Sequence, residues 1–209
     1  VWKSKADKGE RVASAVPFGY KKSEDDPKQW VVDEPAANTV RRIFALCIEG
    51  LGPTKIARRL EAERFMNPTS YQLSVGRKTS NTVSERGDYA WKTSSIEHIL
   101  NNRQYTGCTV NFKTSLVSYK VHKTVYNPED EWQIIPNTQE AIIDVDTFNR
   151  VQELREHRRR NTATGRQSLF SGLLYCADCK SKLYFCAAKS IKPNQEFHRC
   201  SAYKENLGT

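Results

Sequence analysis

The sequence predicts an α+β protein in two parts: a helical, helix-turn-helix-like platform carrying a small antiparallel β element, followed by a short cysteine-bearing β-ribbon. Three observations carry this. Apolar residues recur at three- and four-residue spacing through 35–49, 53–61 and 91–100. Segments between 105 and 135 alternate as strands do. Cys176-Ala177-Asp178-Cys179, with Cys200 further on, has the spacing of thiolate metal ligands.

Residues 1–11 are charged and helix-forming but have no core-facing stripe, so they read as the tail of a helix that began upstream. The small, uncharged segment 12–16 then leads to Pro17-Phe18-Gly19-Tyr20, aromatics that pack at a domain edge. Pro35 to Glu49 is a helix with proline in its first turn; Val40, Ile43, Phe44, Cys47 and Ile48 face inward, and Gly50 stops it. A second helix runs from Pro53 with Thr54 as its cap, Ile56, Ala57 and Leu60 inward, and Lys55, Arg58, Arg59 and Glu61 outward. Residues 64–90 are polar and read as a long loop bearing Arg77 and Lys78, suited to lying along a partner. Trp91 to Leu100 is a third helix, capped by Thr93 or Ser94, with Ile96, Ile99 and Leu100 buried. Tyr105–Lys113 and Val117–Val125 form a strand pair, to which Trp132–Ile135 adds a third. Asp144 or Asp146 caps a helix in which Phe148, Val151 and Leu154 point inward. That helix ends in His157-Arg158-Arg159-Arg160, which serves either as a solvated cap on the helix dipole or as a phosphate contact. Residues 161–167 are a polar linker, and 168–209 form the ribbon.

The formal net charge is +9, with the excess at the two ends: 12 basic against 8 acidic residues in 1–60, and 7 against 3 in 161–209. Such a balance favours polyanionic partners. No apolar run approaches a membrane span, and Val1-Trp2-Lys3-Ser4-Lys5 has no signal-peptide core. Cys47 and Cys108 sit in predicted core stripes and read as small hydrophobes. Cys176, Cys179 and Cys200 read as three ligands of a structural zinc ion whose fourth either lies beyond Thr209 or is replaced by a local residue, with Cys186 and His198 as substitutes. No His, Asp and Glu cluster beside them offers the open position of a catalytic zinc. A chain that opens on Val1 and holds an incomplete ligand set reads as a piece of a longer protein.

Two short helices joined by a tight turn and followed by a third with a polar first turn suit duplex DNA, the third helix entering a major groove by its N-terminal end. On that reading Thr93, Ser94, Ser95 and His98 face base edges, while Lys55, Arg58, Arg59, Arg77, Lys78, Lys92 and Arg103 face phosphates. A plain three-helix core with a polar outer face produces the same periodicity.

Pro17-Phe18-Gly19-Tyr20, Ala36 to Phe44 leading through Glu49-Gly50 into Lys55-Ile56-Ala57-Arg58-Arg59-Leu60, Trp91 with Ile96 to Asn102, and Tyr105-Thr106-Gly107 together resemble the recombinase domain of large serine recombinases. Residues 170–200 resemble the zinc ribbon that follows it in that family. The resemblance implies a division into 1–16, the end of a linker helix and a minor-groove strap; 17–160, the DNA-binding recombinase domain; 161–167, a linker; and 168–209, a truncated zinc ribbon. It also implies a partner, a double-stranded attachment site, and a cytoplasmic setting. The parent would be a site-specific integrase or transposase assembling as dimers and tetramers, with the present chain expected as a monomer. The serine that attacks DNA in this family belongs to a domain before Val1, so no serine here is assigned as a nucleophile and the chain itself is expected not to be an enzyme. Two readings from other classes stand beside it, an RNA-binding or transcription-associated zinc-ribbon protein and a zinc-stabilised interaction module.

Overall fold

The structure is a computed structural model. It describes residues 5–6, 11–12, 15–77, 79, 85–116, 123–156, 164–166 and 168–204. The chain divides into two compact units, Val1–Gln152 and Glu153–Thr209.

In the first unit, helix α1 (Glu34–Ile48) carries the core. Pro35 fits its first turn because a helix start has no use for the missing N–H. Val40, Ile43, Phe44 and Cys47 are buried, as the stripe predicts, but Ile48 is 39% exposed and Leu46 is buried instead. At about 100° per residue the buried arc is centred near Val40 and Cys47, and Ile48 falls just past one edge while Leu46 lies inside the other. Helix α2 (Pro53–Ala62) follows a tight turn and buries Ile56, Ala57 and Leu60. Its cap is Gly52 rather than Thr54, since Pro53 occupies the first helical position and sets the start two residues earlier.

The loop expected over 64–90 contains a helix, α3 (Pro68–Ser74). Asn67 caps it, accepting from Ser70 N at 3.0 Å while its amide holds the Asp88 carbonyl at 2.7 Å. Helix α4 (Thr93–Leu100) buries Ile96, Ile99 and Leu100. Neither Thr93 nor Ser94 caps it. The cap position is Lys92, because Trp91 is buried with its indole N–H on the Phe65 carbonyl at 2.9 Å and fixes where the helix begins. The first turn is therefore left with its hydroxyls uncommitted to capping. Among the described residues, α1, α2 and α4 form the three-helix platform around a core shared with Tyr20, Trp30, Tyr105, Phe148 and Val151.

The β element is arranged differently from the predicted three-strand meander. Residues 103–106 form a 3-10 turn, and strand β3 (Thr109–Asn111) follows it; β4 (Thr114–Leu116) and β5 (Thr124–Tyr126) come next, then β6 (Gln133–Ile135). β3 pairs antiparallel with β6, while β4 pairs with β5. Phe112 has φ +58, a left-handed residue that ends β3 and turns the chain into the separate hairpin. All three β3 residues are buried and all six of β4 and β5 are exposed. The expected third strand is thus the main partner of the first. Residues 117–122 lie outside the described residues. A further hairpin, β1 (Tyr20–Lys22) with β2 (Trp30–Val32), precedes α1.

Helix α5 (Val145–Glu156) is capped by Asp144, whose carboxylate accepts from Thr147 N at 2.8 Å. The Thr147 hydroxyl, and after it that backbone bond, hold the Asp144 carboxyl below its ordinary range. Phe148 and Val151 are buried as predicted, but Leu154 is 40% exposed, since the first unit's compact body ends at Gln152. The basic run 157–160 lies outside the described residues.

In the second unit, β7 (Leu183–Cys186) and β8 (Phe197–Cys200) form an antiparallel ribbon, and a short helix, α6 (Ser201–Lys204), follows. Among the described residues no helix is long and apolar enough to cross a membrane.

Candidate nucleic-acid interface and metal centre

The outer face of α4 does not stand out as a ridge. Ser94, Ser95 and His98 line one side of a groove of about 430 Å³, facing Pro17, Phe18, Pro68 and Tyr105. His98 and Asn102 also wall a second groove, of about 650 Å³, lined by Arg103, Gln104, Lys113, Tyr126, Glu129, Trp132 and Gln152. The Lys113 ammonium lies 5.3 Å from the centroid of the Trp132 ring, so this second groove combines aromatic faces with cations and side-chain amides. Of the predicted base-facing residues, Ser94, Ser95 and His98 come together, while Thr93 is half-buried and lines neither groove. The sequence reading missed Asn102, Gln104, Lys113, Tyr126 and Trp132. They converge from separate segments, and no local pattern marks them.

The predicted phosphate-facing cations fall into two groups. Lys55, Arg58, Lys92 and Arg103 are exposed, and no ion pair engages them among the described residues. Arg59 and Arg77 are committed to the fold. Arg59 Nε donates to Glu63 at 2.6 Å, and Glu63 also receives a two-pronged contact from Arg42 at 2.9 and 2.6 Å. Arg42, and after it Arg59, pull the Glu63 carboxyl down to about 2. Arg77 donates to Asp33 at 2.8 Å, and Tyr71 donates its hydroxyl to the other oxygen at 2.8 Å. Asp33 is buried, so these contacts satisfy a carboxylate that would otherwise be costly to exclude from water. Burial and the bond to Asp33 push the Tyr71 hydroxyl up to about 12. Arg77 thus ties the chain after α3 to the start of α1. Lys78 lies outside the described residues.

The cysteines meet as their spacing predicts. The turn from Cys176 to Cys179 is closed by Lys180 N on the Cys176 carbonyl at 3.1 Å and Cys176 N on the Ser181 carbonyl at 2.8 Å, with Lys180 in the left-handed region at φ +57. Cys200 stands opposite Leu183 at the end of β8, which brings it back to that turn. The three sulfurs all lie within 4.8 Å of one another, and Cys179 Sγ is 3.4 Å from Cys200 Sγ. Zinc–sulfur bonds of about 2.3 Å in a tetrahedron set sulfurs roughly 3.8 Å apart, so the three fit one face of a zinc site. Hydrogen bonds from the Ser181 hydroxyl and amide, then the contact with Cys200, lower the Cys179 thiol to about 7. The Tyr203 amide favours the Cys200 thiolate, but Cys179, desolvation and Cys176 together outweigh it and Cys200 is raised. Neither proposed substitute joins the group. Cys186 Sγ contacts the Tyr184 carbonyl, and the His198 ring packs on Phe185 with 5.3 Å between centroids.

The Recombinase family model matches residues 34–158, from the first residue of α1 to just past α5 and well over half of the chain. An uncharacterized protein of Bacillus subtilis (strain 168), YefB, is 31% identical over 119 residues, covering 56% of this chain and 37% of YefB. The chain therefore spans little more than a third of that relative. Two solved structures share the fold at 19% identity, each covering 98% of this chain. One is a crystal structure of an LSR–DNA complex, at TM-score 0.52 over 60% of its chain. The other, from work on the sequence requirements of the Listeria innocua prophage attP site, matches at 0.50 over 73%. With the platform helices inside the family match and the fold shared across nearly the whole chain, this protein belongs to the Recombinase family and has the fold of the large serine recombinases.

Proposed function

We propose that this chain is the site-recognising part of a serine site-specific recombinase, binding duplex attachment-site DNA without itself cutting it. The observation that carries the reading is a set of exposed cations that no ion pair engages among the described residues, Lys55, Arg58, Lys92 and Arg103, beside an α4 helix whose Ser94, Ser95 and His98 line a groove. Cations of this kind set register on phosphates, while hydroxyls and the imidazole supply donors and acceptors for base edges. Family membership and the DNA-bound fold neighbours support the same reading. Cys176, Cys179 and Cys200 would hold a zinc ion, which supplies folding energy to the ribbon and no reaction step. Dimers and tetramers of the full recombinase, acting on DNA in the bacterial cytoplasm, complete the proposal.

Fluorescence anisotropy with a labelled duplex tests it. A duplex carrying the element's own attachment site should bind more tightly than a scrambled one, with log affinity falling steeply against log salt. Equal affinity for both duplexes, or a preference for single-stranded RNA, refutes it. Supercoiled plasmid incubated with the chain should stay intact.

A further inference from the structure

Arg11 lies ahead of the family match, yet the folded unit holds it from several directions. Nη2 donates to Thr109 Oγ1 at 2.9 Å and to Gln139 Oε1 at 2.6 Å, and Nη1 donates to the Lys28 carbonyl at 3.1 Å. The guanidinium carbon sits 3.4 Å from the centroid of the buried Trp30 ring. The neighbouring residues are fixed to the same face. Val12 N donates to Asn111 Oδ1 at 3.0 Å, with Asn111 only 2% exposed, and Gln133 Nε2 donates to the carbonyl of the fully buried Ala6 at 3.0 Å. Residues 6, 11 and 12 are thereby attached to β2, to β3, to β6 and to the turn before Ala141.

These contacts decide between two roles for an arginine in a basic protein. A phosphate contact needs guanidinium donors that face solvent. Arg11 gives both terminal nitrogens to neutral protein acceptors, and its Nε is buried with no acceptor. No carboxylate pairs with it among the described residues, and burial lowers its pKa. A cation held this way relies on shape: a planar fork that reaches three oxygens at once and stacks flat on an indole. Lysine offers neither the plane nor the spread of donors.

We propose that Arg11 is a positioning residue that, with Ala6 and Val12, docks the chain ahead of the platform onto the β3–β6 sheet, and is not a phosphate contact. Ala6, helical and fully buried, is held at the same sheet by Gln133.

The test uses the whole 209-residue chain as Arg11→Lys, Arg11→Met and Asn111→Ala variants. Backbone amide exchange by NMR reads the docking directly. The Val12 amide should be protected in the parent and should exchange about tenfold faster or more in each variant, with amides of α1 and α2 unchanged. A Val12 amide that is unprotected in the parent, or unaffected by both Arg11 variants, overturns the proposal. The second arm rests on the DNA-binding reading. The slope of log affinity against log salt should be equal in the parent and Arg11→Met, whereas loss of a true phosphate contact reduces it by about 0.9. A reduction of that size with Val12 protection retained also overturns the proposal. If the parent binds no duplex, the functional reading fails and amide exchange still decides the role of Arg11.

Discussion

Gly107 connects the groove-lining turn at 103–106 to β3, and replacing it with alanine tests whether that junction is as tight as its geometry. Its φ is +83, which costs alanine about 1 kcal/mol. An added Cβ would lie 2.8 Å from the Gln139 carbonyl oxygen, a backbone atom that cannot rotate away. Relief would require moving the 138–139 turn, whose amides donate to the Gly107 carbonyl at 2.9 and 3.3 Å; weakening those bonds costs about 1 kcal/mol each. The smaller entropy of unfolded alanine offsets about 0.4–1 kcal/mol. The net loss is about 2–3 kcal/mol, or roughly 5–10 °C in Tm for a unit of this size. Gly50→Ala is the matched control. Its φ is +88 but nothing lies within 4 Å of the new Cβ, so the conformational cost and the entropy gain nearly cancel, to within about 0.5 kcal/mol. Urea unfolding of both variants, followed by tryptophan fluorescence, should separate them by about 2 kcal/mol. A separation below about 0.5 kcal/mol would refute the contact argument and leave only the backbone conformation.

Metal assay should find one zinc per chain, lost on replacing Cys176, Cys179 or Cys200 with serine and retained in Cys186→Ser. Arg77→Gln should lower stability by about 1–2 kcal/mol through the buried Asp33, with the salt slope of DNA binding unchanged, whereas Lys92→Gln should leave stability alone and reduce that slope by about 0.9. Glu63 has a folded-state pKa of about 2, below its ordinary 4.5, so its stabilising contribution is present above pH 4.5 and lost as pH falls toward 2. In Glu63→Gln that part of the acid dependence should vanish in urea titrations at several pH values.

The helices were legible because their signals are local. Val40, Ile43, Phe44 and Cys47 announce α1 within two turns, and Pro35 and Gly50 bracket it. Helix α3 was not legible, since seven residues with little apolar periodicity hold together through distant partners: Asp88 on Asn67 and Asp33 under Tyr71. Strand pairing failed for the same reason. β3 and β6 find one another across a separate hairpin, and the deciding residue is Phe112, whose left-handed φ no propensity marks. The clustering of Cys176, Cys179 and Cys200 was readable because the Cys-x-x-Cys turn is itself a local structure and Cys200 stands in register with the ribbon's first strand. The groove was half readable: Ser94, Ser95 and His98 share one helix face, but Trp132 and Tyr126 reach it only through the fold.

Charge shows most clearly what composition leaves out. A formal +9 says that cations exceed anions and nothing about which of them face a ligand. Arg41 is tied to Glu34, Arg42 and Arg59 share Glu63, Arg77 holds Asp33, and Arg11 is enclosed by neutral oxygens and an indole. These arginines would look interchangeable with Arg58 and Arg103 in a sequence, yet recruiting them to phosphates would require breaking contacts that the fold uses. Paired cations contribute little counterion release on binding, because the phosphate must compete with a carboxylate already in place. Among the described residues, the cations open to a phosphate are therefore fewer than the formal charge suggests, and Lys55, Arg58, Lys92 and Arg103 are among those that no ion pair engages.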